Sequence, residues 1–271
     1  MPGFSYTDEN CLDALRAAAE RLGQSPTRRE YESLSIRPSA RVISKRFGSW
    51  NEAKREAGLP IRRGGKPPKP VDEDYFERID TPTKAYWLGF LFGDGSLVER
   101  QYGHRVQLTQ RREDVGHLVK FKRTIRSENA IIEDDRARHI RVGNATFAAH
   151  LREHGFTKTK GTDGALPDLQ SWPLRRGFVR GLSDADGYYG RDKWTITDGT
   201  SRRLCKLRAW IPFDSDVVEE RREHRSWSYL RVTGSSTLPA LYHWLFPRGH
   251  QTEPALTRKR TRAMQVLEES M

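Results

Sequence analysis

At 271 residues, with 31% of them charged and a mean hydropathy of -0.80, the chain is long enough for two cored domains but must present a largely polar surface. Its formal net charge of +12 is spread along the sequence rather than held in one tail, which makes nucleic acid the leading partner and a merely basic globular protein the alternative. Two cysteines, Cys11 and Cys205, exclude a disulfide framework and a Cys-rich zinc site, and fit a compartment that is reducing or indifferent. The N-terminus lacks the order of a secretory leader and no uncharged apolar run reaches membrane-spanning length, so an intracellular, DNA-associated chain without a membrane partner is expected.

Residues 7 to 57 read as short helices separated by turns. Leu12, Leu15, Ala19 and Leu22 share one helical face, with Gly23 as the stop. Ser39 is placed to cap a helix running through Arg41, Val42, Ile43, Lys45, Arg46 and Phe47, and Gly48-Ser49-Trp50 precedes a last turn through Ala53 and Ala57. Val42, Ile43 and Phe47 are expected to face a core while Arg41, Lys45 and Arg46 face out. Such a helix has the apolar anchor and basic side of a DNA recognition helix, and equally the pattern of a generic surface helix. The segments LRAAAERLGQSPTRREY and PSARVISKRFGSWNEAKREAGL resemble the helical repeat associated with homing endonucleases, over about residues 8 to 59. That resemblance implies a helix-turn-helix-like DNA-binding role, with FGSWNEA its most specific part.

The stretch PIRRGGKPPKPVD, residues 60 to 72, combines Pro, Gly and basic residues without periodicity and reads as a linker. Arg62, Arg63 and Lys66 suit a tether along a DNA groove, though a solvated spacer has the same composition.

From residue 73 the chain repeats itself. WLGFLFGDG (87 to 95) recurs as VRGLSDADG (179 to 187), 92 positions later, and Ile140-Arg141-Val142 recurs as Leu230-Arg231-Val232, 90 positions later. The expected fold is α+β: two pseudo-symmetric αββαββα halves, residues 73 to 170 and 171 to 271, behind a small all-α domain of residues 1 to 59. Alternation in HRVQLTQ and KWTIT puts Val106, Leu108, Trp194 and Ile196 toward the helices. Arg105, Gln107, Thr109, Lys193, Thr195 and Thr197 then point the other way, with Arg138, Arg141, Tyr229 and Arg231 added from the later strands. This set suits a sheet laid along the major groove, and alternation alone leaves water as the other possible partner.

Each signature helix carries small residues four apart, Gly89 and Gly93 or Gly181 and Ala185, and ends in Asp-Gly: Asp94-Gly95 and Asp186-Gly187. Glycine suits a left-handed cap there. A carboxylate at a helix C-terminus meets the negative end of the dipole, and two converging carboxylates call for a cation, for which Mg²⁺ is the expected ion with Mn²⁺ as substitute.

WLGFLFGDG and VRGLSDADG resemble the two signature helices of single-chain LAGLIDADG homing endonucleases, over about residues 80 to 262. In the first, Phe92 stands where the pattern has its earlier acid. The resemblance implies a saddle of strands on a long asymmetric DNA target and cleavage of both strands across the minor groove. It assigns metal binding to Asp94 and Asp186, with the backbone at Gly93 and Ala185, and leaves Asp184 a supporting or capping role. It further implies Gln110 and Arg111 as residues ordering water, with Thr197-Asp198 a departure in the second half, and Lys160 (Lys158 competing) and Lys259 as charges near the scissile phosphate, in late loops of each half. A monomer is expected, serving a mobile intron, intein or free-standing element; a Met start without splice-junction residues argues against an intact intein. A non-cleaving DNA-binding regulator and an RNA maturase are the alternatives. His150-Leu-Arg-Glu-His154 has the order of a zinc peptidase motif, and His139, Asn144 and His150 loosely that of an H-N-H nuclease. Phe147, Ala148 and Leu151 make the segment an ordinary amphipathic helix instead.

Overall fold

The structure, a computed structural model, describes residues 6–61, 69–100, 103–135, 137–157, 165–198, 201–222, 225–247 and 253–269. Two compact units make up the chain, Met1–Pro67 and Pro68–Met271.

The first unit is helical: α1 (Asp8–Leu22), α2 (Arg28–Ser33), α3 (Ala40–Arg46) and α4 (Trp50–Glu56). Thr7 and Thr27 each form a capping box, accepting from the backbone of Asn10 and Glu30 while those side chains return a bond to the cap backbone, so both helix starts are fixed by local chemistry. The core stripe of α1 is Cys11, Ala14, Leu15 and Ala18, one residue round from the expected face; Leu12 and Leu22 stay half-buried. Small side chains line the contact because short helices packed closely have no room for more leucines. Val42 is 39% exposed rather than inside, and Ile43 alone of α3's large apolar residues is fully buried. A seven-residue helix buries one face only, and Ala40 and Ile43 already fill it.

The second unit contains the repeat. Its first half runs α5 (Pro82–Asp94), β1 (Gly95–Arg100), β2 (Gly103–Arg111), α6 (Val115–Thr124), β3 (Ile131–Glu133), β4 (Ala137–Val142) and α7 (Ala145–Glu153). The second runs α8 (Trp172–Asp186), β5 (Gly187–Tyr189), β6 (Lys193–Asp198), α9 (Ser201–Arg208), β7 (Asp216–Arg222), β8 (Arg225–Thr233) and α10 (Thr237–Leu245), and adds a helix, α11 (Thr257–Glu269). Both sheets are antiparallel with matching orders, β1-β2-β4-β3 and β5-β6-β8-β7. The registers also match: Gly95 pairs with Leu108 and Gly187 with Ile196, so each signature helix runs directly into the edge strand of its own sheet.

Gly95 and Gly187 do not adopt the expected left-handed cap. They are extended, with φ of -80° and -95°. Glycine serves the tight passage from helix to strand, since a Cβ would stand 2.5 Å from the Leu91 carbonyl oxygen at Gly95 and 2.4 Å from that of Ser183 at Gly187. One apolar core lies between the helices and the inner faces of both sheets, fed by Val106, Leu108, Ile140 and Val142 from one and Trp194, Ile196, Leu230 and Val232 from the other. Among the described residues no helix is long and apolar enough to cross a membrane.

Candidate active site and nucleic-acid face

The site begins with the contact of α5 and α8. A Cβ at Gly89 would stand 2.1 Å from the Phe178 carbonyl oxygen, and one at Gly181 only 1.9 Å from that of Tyr86, so both positions exclude any side chain. At the C-terminal ends, a Cβ at Gly93 would meet the Ala185 Cβ at 2.3 Å and Asp186 Oδ2 at 2.9 Å. The Asp186 carboxylate therefore lies against the last turn of α5, one residue from Asp94. The small residues four apart let the two acids converge where both helix dipoles are negative.

Their surroundings differ. Gln110 occupies the inward register of β2 and donates from Nε2 to Asp94 Oδ2 at 2.6 Å. The matching position of β6, two residues past the glycine-paired one, is Asp198; it turns inward and accepts from Arg203 NH1 at 2.9 Å, with both side chains almost buried. A cavity of about 490 Å³ opens beside Asp186, walled by Arg111, Tyr188, Arg258, Lys259 and Arg262. Arg111 thus ends a strand of the first half but faces the acid of the second.

Lys259 lies in the first turn of α11 rather than in a loop. Its Nζ donates to the carbonyl oxygens of Ser183 at 3.1 Å, Ala185 at 3.4 Å and Gly187, satisfying the C-terminal carbonyls of α8. Burial pulls its pKa down to about 8 against the opposing pull of Asp184, Asp94 and Asp186. The Ala185 carbonyl expected to serve a metal is thus already bonded to an ammonium.

Asp184 supports this end from beneath. Fully buried, it accepts from Tyr86 Oη at 2.8 Å, Tyr189 Oη at 3.1 Å and Leu256 N at 2.7 Å. Burial raises its pKa, and the bonds from Leu256 and Tyr86 oppose the rise. Since the Tyr86 proton goes to Asp184, the 3.0 Å contact between Tyr86 Oη and His117 Nε2 needs an Nε2–H on a neutral imidazole. Burial lowers the His117 pKa to about 3, which agrees with that form. Phe92, at the matching position of α5, packs on Phe178 and Phe156 instead and carries no such network.

Strand register puts Arg105, Gln107, Thr109 and Arg141 on the outer face of the first sheet, and Lys193, Thr195, Thr197, Tyr229 and Arg231 on that of the second. Gln107 is held between neighbours, accepting from Arg141 Nε at 2.8 Å and donating to Thr109 Oγ1 at 3.1 Å. Tyr229 donates to Glu220 Oε1 at 2.8 Å, and Arg231 pairs with Asp216 at 3.3 Å. Arg138 is a correction: it pairs with Gln110 on the inner register, is 7% exposed, and is bound by Glu133 and by the carbonyl oxygens of Asp134 and Ala137. His139 takes its place on the outer face, opposite Thr109. In the first unit Arg41 and Lys45 are exposed, and Arg46 forms an ion pair with Asp8. Arg62, Arg63, Lys66, Lys158 and Lys160 lie outside the described residues.

Arg258, Arg262 and Tyr188 were not among the sequence candidates. Arg258 and Arg262, four apart, share one face of α11 and carried a readable signal, whereas the meeting of Tyr188 with α11 is a product of tertiary packing. The zinc-like histidines are structural: the His150 ring bonds the Glu73 carbonyl oxygen at 3.1 Å and the His154 ring that of Phe76 at 2.8 Å. Among the described residues no group of three or more His, Cys, Asp or Glu side chains is placed to hold a metal ion.

Two helices meeting through glycines over two sheets of matching strand order define a LAGLIDADG-type fold, and comparison with solved structures bears this out. Solved structures that the chain resembles include a mutant of I-SmaMI, at 12% identity over 70% of this chain and 90% of that one, with a TM-score of 0.50. The I-SmaMI LAGLIDADG homing endonuclease bound to cleaved DNA matches at 12% identity, 70% and 88% coverage and a TM-score of 0.49. I-DmoI in complex with DNA and Ca matches at 17% identity, 68% and 95% coverage and a TM-score of 0.48. At such identities the shared property is the fold. Residues 6–60 match the family model of the homing endonuclease associated repeat. Among curated proteins, none matches the chain by sequence. The chain therefore joins a homing endonuclease associated repeat to a fold shared with I-SmaMI.

Proposed function

We propose that the protein is a site-specific, metal-dependent DNA endonuclease of the homing type, acting as a monomer on double-stranded DNA inside the cell. The observation that carries this reading is the convergence of Asp94 and Asp186 at the ends of two glycine-packed helices, between two sheets with polar outer faces. A DNA-binding regulator would gain nothing from two acids brought together at the surface that faces phosphate.

The donor set fits a hard divalent cation such as Mg²⁺ or Mn²⁺: two carboxylates, with the remaining positions left to phosphate oxygen and water. Such an ion, when bound, lowers the pKa of water and withdraws charge from the phosphate. Asp94 and Asp186 would hold it. Gln110, whose Nε2 donates to Asp94 and to the Thr109 carbonyl oxygen, fixes that carboxylate's orientation and offers its amide oxygen to a water molecule. Arg111 and Arg262 provide positive charge toward a phosphate seated beside Asp186, where charge grows in the transition state, while Arg258 on the same wall is paired with Asp114 at 2.8 Å. Lys259 holds the end of α8 and so the position of Asp186. The outer residues of both sheets read base edges, and the N-terminal repeat, through Arg41 and Lys45, adds phosphate contacts along a longer target.

Selecting cleavage sites from a randomised plasmid library in Mg²⁺ tests the proposal. A recurrent long asymmetric site, cut only with metal present, supports it. Retention of one sequence without any cutting would favour the regulator.

A further inference from the structure

A second cavity, also about 490 Å³, opens between the N-terminal half of α5, the end of α6 and the start of α11. It shares no lining residue with the cavity beside Asp186. Its wall is cationic: Lys120 and Arg123 from α6 face Arg260 from α11, with the hydroxyls of Thr83, Thr257 and Thr261 between them. Glu253 is the acid in this lining, and its charge is already met by Arg176 at 3.6 Å and by Arg180. Lys120 Nζ donates to the Ala255 carbonyl oxygen at 3.3 Å, which fixes the ammonium at the wall. Thr257 opens α11, a helix of 13 residues, so the positive end of its dipole adds to the same field.

Trp87 supplies an independent observation. It lines this cavity and is fully buried, yet its indole N–H has no acceptor. Other tryptophan N–H groups are satisfied: Trp194 donates to Ser183 Oγ at 2.8 Å and Trp50 to the Pro26 carbonyl oxygen at 3.3 Å. An unmet buried donor is destabilising, and an acceptor oxygen arriving from outside would relieve it.

We infer that this cavity binds a phosphate-bearing ligand, held by Lys120, Arg123 and Arg260, with the Trp87 indole as a further donor. The volume falls within the range of small-ligand sites and exceeds a lone phosphate, so the ligand carries a diphosphate or a nucleotide unit. A free nucleotide and a nucleic-acid strand present the same chemistry.

The test uses the full chain with its tryptophans labelled with ¹⁵N and no duplex DNA. The indole resonance of Trp87 is assigned by its loss in Trp87→Phe, then followed during titration with inorganic pyrophosphate, ATP and a short single-stranded oligonucleotide. A saturable shift of that resonance is expected, with Kd raised about tenfold or more in Lys120→Ala/Arg123→Ala, as for loss of charge-assisted bonds, and unchanged in Asp186→Asn. Arg260→Ala, on a different helix, is expected to raise Kd as well and decides the matter alone should the double variant not fold. A response to pyrophosphate and ATP identifies a free nucleotide and a response to the oligonucleotide a strand, and either sustains the site. No shift with any probe, or a shift indifferent to the basic residues, overturns the inference.

Discussion

Replacing Gly181 by alanine tests whether the carboxylates are held by backbone contact between α5 and α8. The added Cβ would lie 1.9 Å from the Tyr86 carbonyl oxygen and 2.8 Å from Phe90 N, and ordinary contact begins at 3.4 Å, so the helices must part by about 1.5 Å. The obstacle is main chain on both sides, so no side-chain rotation relieves it. Because main chain cannot rotate away, the overpacking cost sits at the upper end of the usual range, about 3 kcal/mol, and the roughly 1 kcal/mol gained in helix propensity offsets only part. A net loss of about 2 kcal/mol in urea denaturation is expected. Displacement on this scale also separates Asp94 from Asp186 and should slow cleavage about a hundredfold. Gly116→Ala is the control: it lies in α6 with nothing within 4 Å of an added Cβ, and should be neutral or stabilise by about 0.5 kcal/mol. Equal stability of Gly181→Ala and the parent would refute the close-contact argument, whatever the effect on cleavage.

Other expectations follow from the same geometry. Gln110→Ala removes the amide that bonds Asp94, so nicked plasmid should accumulate as one strand is cut roughly tenfold or more slowly; equal slowing of both strands would contradict the asymmetry. Lys259→Met removes the ammonium that bonds the carbonyls of Ser183, Ala185 and Gly187, of which Ser183 keeps the Gly187 N–H, and should cost about 1–3 kcal/mol in thermal or urea unfolding. The His117 pKa falls from 6.5 to about 3 in the folded chain, so its contribution to stability is complete above pH 6.5 and lost as pH drops through that window, when the unfolded chain binds the proton first. Replacing it with Gln should flatten the acid side of the stability curve by up to about 1.4 kcal/mol per pH unit, and parallel curves for the two proteins would show the imidazole to be uninvolved.

The sequence made the paired acids legible because a repeat displays both copies in register and the small residues four apart announce close helix packing. Strand alternation assigned the outer face correctly at Arg105, Gln107, Thr195 and Arg231. Arg138 shares the inward parity of Ile140 and Val142, so counting it with the outer residues runs against that same alternation; at the sheet end it lies opposite the polar Gln110. Arg111 could not be assigned to the Asp186 side from its own half, since that meeting depends on how the halves dock. Helix α11 has no counterpart among the described residues of the first half; the family resemblance implies Lys259 there but carries no expectation for Arg258 or Arg262 on the same turns. The buried chain of His117, Tyr86 and Asp184 was not legible because its members come from three helices that meet only on folding.

The most direct measurement is a time course of plasmid cleavage at a selected target, in Mg²⁺ and in chelator, for the parent and for Asp94→Asn and Asp186→Asn. The parent should yield linear DNA only with metal, and each variant should lose at least about a thousandfold in the rate of double-strand cutting while still binding the target. Linear product at the parental rate from either variant, or from the parent in chelator, would contradict the assignment of the two aspartates.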